Sequence, residues 1–228
     1  MSTIKTDQKG QKNTAKSKPR FFYKCVAHAL GYGFFATIHL LRLPYFTLKK
    51  KAVTNREINQ SKNLTFPLNG QAMGDLKELR LGSCRFSHSG CGAIATFNAM
   101  SVLGLEPKME DIVDFYEHNG LILNAAMGVN PSAVKKYLKS KGLQWKFYSK
   151  SKDWDACLGK DQIAILLYWW VNRKGCGAHY VSVERTDEGI NVYNEYGNRD
   201  YTHKYKDMQT FLDEGQYKRV VSMFVIDK

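Results

Sequence analysis

Acidic residues are almost missing from the first 51 positions, which hold eleven Lys or Arg and a single Asp; positions 52–228 hold 23 and 20. The net charge of +13 therefore belongs to the N-terminal segment and not to the rest of the chain. Sequence-independent phosphate binding needs a basic face on a folded surface, so nucleic acid is set aside as a partner. Clear membrane-spanning runs are missing as well. Residues 25–41 lack Lys, Arg, Asp and Glu, but 17 positions is the lower limit for a span, and His28, Gly31, Gly33 and His39 weaken it. No small-residue cleavage site follows that run, which argues against a signal peptide. Three readings of residues 21–51 stay open: a helix held on an anionic membrane surface, a short span, or a helix packed on the domain. Cysteines number only five, and their spacing repeats no disulfide framework. Reduced thiols are expected, which points to the cytoplasm or the inner face of its membrane.

What is present is enough for a folded domain: 43% of residues are hydrophobic and 13% aromatic. Residues 1–20 are polar and Lys-rich and read as a disordered tail. Residues 52–75 contain PLNGQAMG and read as a linker, and the sharper patterns occupy 76–228. There GAIATFNAMSVLG predicts a buried helix stopped at Gly104. Met109, Ile112, Val113 and Tyr116 fall at helical spacing before Gly120. Asn130 and Pro131 open a third helix carrying Ala133, Val134, Tyr137 and Leu138. The period then changes to two in QWKFYS, the run QIAILLYWWV suits a central strand, and AHYVSVER and GINVYNEY are joined by the turn TDEG. A short helix around YKDMQTFLDEG and a strand RVVSMFVI complete an α+β order, helices before an antiparallel sheet.

Within SGCGAIATFNAMSVLG, Cys91 stands between Gly90 and Gly92 where the first of these helices begins. Backbone amides and the dipole at a helix start favour thiolate over thiol, and the same amides can hold an oxyanion. A thiolate needs a partner able to return a proton. His179 in CGAHYVSVER is best placed among the six histidines, and Asn194, 15 residues later on the next strand, can orient its ring. A zinc grouping of Cys84, His88, Cys91, Cys176 and His179 is the competing chemistry, although its spacings match no common finger; the preferred reading holds neither metal nor cofactor.

The order Cys91, His179, Asn194 resembles the papain-like cysteine peptidases, within them the compact bacterial group that includes leader peptidases of bacteriocin exporters. The stretch SGCGAIATFNAMSVLG and the later NVYNEYGN are also similar to a set of uncharacterised bacterial proteins. The resemblance covers roughly residues 76–228 and not the N-terminal 75. It implies a papain-like fold, helices packed on an antiparallel sheet, and a peptide or protein substrate, with small residues near the cut suggested by the exporter group. It also implies a side-chain oxyanion donor six residues before the nucleophile, where papain-like peptidases usually carry Gln. Here that position is Arg85, with Ser87 and His88 as the other candidate donors. The expected function is a thiol-dependent peptidase acting through a thioester. The alternatives are an amidase or transamidase using the same nucleophile, and an inactive peptide-binding module. No oligomeric state is expected from these features.

Overall fold

A strand buried on both faces needs apolar side chains at odd and even positions alike, which is what QIAILLYWWV supplies. In the computed structural model, which describes residues 45–172, 175–197, 199–214 and 217–228, this run forms β4, Gln162–Asn172. It lies between β5 (Gly175–Thr186) and β8 (Tyr217–Asp227), antiparallel to both. With β3 (Trp145–Tyr148), β6 (Gly189–Tyr193) and β7 (His203–Tyr205) the sheet runs β3-β8-β4-β5-β6-β7. Ile163, Ile165 and Leu167 enter one core; Ala164, Leu166, Tyr168 and Trp170 enter another on the opposite face. Each large apolar side chain buried in this way contributes about 1.5–3 kcal/mol.

The first core is made with helices. A single turn, α2 (Phe86–Ser89), leads through Gly90 into α3, Cys91–Val102, whose residues Cys91 to Met100 are all buried. A helix so placed has no polar face, and its polar side chains bond inside the protein. Asn98 exchanges two hydrogen bonds with the backbone of Leu68, both 2.8 Å, and the Thr96 hydroxyl bonds the Gly92 carbonyl at 2.9 Å. Helix α4 (Met109–Asn119) buries the four positions expected at helical spacing. In α5 (Pro131–Ser140) the Asn130 side chain accepts from the Ser132 amide, as the capping signal predicts. The second core is closed by α6 (Met208–Asp213), through Met208, Phe211 and Leu212. The architecture is α+β: helices and an antiparallel sheet.

The segment read as a linker is built differently. Helix α1, Tyr45–Gln60, extends through its first part and packs on α4 and on the small hairpin β1 (Arg80–Leu81) and β2 (Cys84–Arg85). Asn55 and Asn59 are buried there. Asn59 accepts from the Arg80 amide and donates to the Arg80 carbonyl, both 2.9 Å, so its side chain imitates a strand partner. In residues 66–71, Phe66 then packs against Tyr193, and Asn69 is bonded to Asn194 and Thr202. A polar composition concealed this segment because its asparagines are spent on backbone groups rather than on solvent. The expected tail, 1–20, and residues 21–44 of the apolar and basic segment lie outside the described residues. Among the described residues no helix is long and apolar enough to cross a membrane.

Candidate functional site

Cys91 opens α3 after Gly90, whose helical φ of −74° and ψ of −9° carry the chain almost straight on from α2. Both flanking glycines are needed for close packing. A Cβ on Gly90 would lie 2.4 Å from the Phe86 ring, and one on Gly92 would lie 2.9 Å from Val129. The start of α3 packs on β5: a Cβ on Gly92 would also lie 3.4 Å from the Tyr180 ring, and the Ser182 hydroxyl donates to the Ala95 carbonyl at 2.6 Å. Hydrogen bonding from the backbone of Tyr180, Gly92 and Cys91 favours the thiolate, but burial is the larger effect and raises the thiol above its ordinary value.

His179 is buried on β5, where its ring nitrogen Nε2 donates to the carbonyl oxygen of Asn194 at 2.6 Å. A carbonyl can only accept, so this bond fixes the proton on Nε2 and leaves the lone pair on Nδ1. Edge-on contacts with Tyr168 and Tyr196 hold the ring plane. Burial lowers the imidazole to about 4, against the opposing pull of the Asn194 carbonyl and the Glu195 charge. Burial thus favours the neutral form of both Cys91 and His179. The standing thiolate expected from the helix start is reversed by desolvation.

Asn194 meets the imidazole through its main chain and not its side chain. Its φ of +60° turns the carbonyl toward His179, while its amide donates to Asn69 Oδ1 at 2.6 Å. Its side-chain Nδ2 is buried without a hydrogen-bond partner among the described residues. The next residue, Glu195, sits in a buried polar cluster. Its carboxylate accepts from the Tyr205 hydroxyl at 2.6 Å and lies 3.0 Å from Lys218 Nζ and 3.1 Å from His203 Nδ1. Lys218 also donates to the carbonyls of Phe211 and Glu214.

Cys91 and His179 line one cleft of about 360 Å³, together with Ser87 and His88 from the sequence-predicted set. His88 Nε2 donates to the Ala126 carbonyl at 3.1 Å. Arg85 is a correction: it is exposed at the end of β2, paired in register with Arg80, and does not line the cleft. The hairpin carries its side chain away before α2 begins. A side-chain amide not singled out from the sequence stands in the cleft instead. Gln71 lines the cleft, its Nε2 donating to the Ser87 carbonyl at 3.2 Å and its Oε1 buried without a partner among the described residues. A lone Gln beside an Asn-Gly turn carries no periodic signal, so only the fold identifies it. Among the described residues no three His, Cys, Asp or Glu side chains are grouped to hold a metal, and the zinc alternative does not assemble. Cys84, Cys91 and Cys157 are not in disulfides. No family model matches the sequence, and no curated protein matches it.

Proposed function

We propose that the chain is a thiol-dependent peptidase of papain-like type, with Cys91 as nucleophile and His179 as general base. The observation that carries this is the placement of a helix-opening cysteine and a histidine with Nε2 committed to a carbonyl in one cleft. Neutral resting groups call for proton transfer during attack rather than a stored ion pair. As Sγ bonds to the peptide carbonyl carbon, Nδ1 of His179 takes the thiol proton. The oxyanion that forms is held by amides at the start of α3 and by Nε2 of Gln71, the side-chain donor in place of Arg85. The imidazolium, favoured by the Asn194 carbonyl and the Glu195 charge, gives its proton to the leaving amine as the C–N bond breaks. Water then hydrolyses the thioester by the same base. An amine in place of water would make the same site a transamidase, and a side-chain amide substrate would make it an amidase.

Burial of Cys91, only 9% exposed, favours a second reading, a cleft that binds peptide without turning it over. Mass spectrometry of the full chain after a pulse of iodoacetamide tests both. Cys91 labelling should rise steeply from pH 6 to pH 9, because the raised thiol ionises only at alkaline pH. Peptide hydrolysis should vanish in Cys91→Ala and fall by on the order of a hundredfold to ten-thousandfold in His179→Ala. Peptide binding with no hydrolysis by the parent protein would establish the binding module.

A further inference from the structure

The walls of the cleft determine which side chain can lie beside the attacked carbonyl. Among the described residues, no Asp, Glu, Lys or Arg lines it. Three large apolar side chains that remain open to solvent do: Met127 at 52%, Tyr196 at 43% and Trp169 at 37% exposure. Trp170 joins them, its ring 4.2 Å from that of Tyr196 at an interplanar angle of 30°. Gly177 makes room for this indole, since a Cβ there would stand 3.1 Å from the Trp170 ring.

The loop that carries Met127 is held by unusual backbone. Leu123, Asn124 and Ala125 all have left-handed φ, at 51°, 51° and 73°, and a bridge between Leu121 and Val129 closes the loop. Left-handed conformations in ordinary residues cost of order 1–3 kcal/mol each and persist only where the surroundings enforce them. Here Ile122 accepts from the Met127 amide at 3.2 Å, and Asn124 accepts from the Ser83 amide at 3.2 Å and its hydroxyl at 3.0 Å. The result is an apolar side chain kept at the cleft although half of it stays in water.

Resting on the peptidase reading, we infer that the preferred substrate is a peptide carrying a large, uncharged, apolar side chain, aromatic or Leu-sized, next to the carbonyl that Cys91 attacks. Such a side chain would cover Met127, Trp169 and Tyr196 and would leave no buried charge unpaired. Small residues would leave the aromatic wall wet, and acidic or basic ones would find no counter-charge among the described residues.

The experiment uses acetylated two-residue peptidyl vinyl sulfones on the full chain, carrying Phe, Leu, Gly, Asp or Lys at each position in turn. The rate of Cys91 modification is read by mass spectrometry. Phe or Leu should exceed Gly by roughly tenfold to a hundredfold at the position next to the vinyl sulfone, with Asp and Lys below Gly, and a preference confined to the other position would overturn the assignment. Trp169→Ala and Met127→Ala should each lower the ratio of the Phe rate to the Gly rate. Gly, Asp or Lys probes reacting as fast as Phe and Leu would overturn the assignment while leaving Cys91 a nucleophile. If no vinyl sulfone reached Cys91 although iodoacetamide did, the peptidase reading would fall and the substrate assignment with it.

Discussion

Two buried polar networks, one under α1 and one behind His179, are built from asparagine and glutamate in the same way and end differently. Under α1, Asn55 donates to Glu117 at 2.6 Å and to the Gly82 carbonyl at 2.8 Å, while Asn59 closes both bonds of Arg80. Glu117 has no cation bonded to it among the described residues; burial pushes its carboxyl up, and its Oε2 has no hydrogen-bond partner there. Behind His179, Asn69 bonds the Asn194 amide, and the Glu195 carboxylate has both Tyr205 and Lys218. Neutral amides are enough to fasten a helix to a hairpin. A buried carboxylate and ammonium are costly to desolvate and are seldom the cheapest way to stabilise a core. Their position beside the backbone that holds an imidazole ties the charge to His179: the Glu195 charge favours its protonated form, against the larger effect of burial.

Removing one member from each network should separate the two. Glu195→Gln leaves the Lys218 ammonium, 1% exposed, without its counter-charge and should lower unfolding free energy by about 3 kcal/mol or more, as read from urea denaturation. A loss below about 1 kcal/mol would place the charged network on a par with a neutral one. Asn59→Ala orphans the amide and carbonyl of Arg80 and should cost about 2 kcal/mol by the same measurement. The smallest effect is expected at Glu117. Because its folded pKa is raised, the native state holds this proton more tightly than the unfolded chain, and stability falls as pH rises through the window above the ordinary Glu value. Glu117→Gln should remove that slope in melting temperatures compared between pH 4 and pH 7. Its Oε1 can keep both accepted bonds.

The main elements of 76–228 were legible because their signals are local. Asn130 and Pro131 announce α5 within two residues, and Met109, Ile112, Val113 and Tyr116 mark the buried face of α4. Cys91, His179, Ser87 and His88 were legible as candidates, and the fold brings all four to one cleft. Arg85 was misread because a fixed offset from Cys91 was taken from the papain-like resemblance, whereas Arg85 is exposed at the end of β2 here. The helical character of residues 52–60 and the strap at 66–71 were missed because a polar stretch reads as solvated until its partners are known.

The sequence by itself determined where the main strands and helices of 76–228 form and that a cysteine opens the most buried helix, since caps, periodicity and glycines act over a few residues. Only the tertiary structure decided which group orients His179, because a main-chain carbonyl has no residue identity. It also brought Asn69 to Asn194 across 125 positions and placed Gln71 in the cleft. The charge states of Cys91 and His179 belong to that level too. Local context favoured a thiolate, but desolvation depends on everything packed around the pair, and that packing favours the neutral form of both.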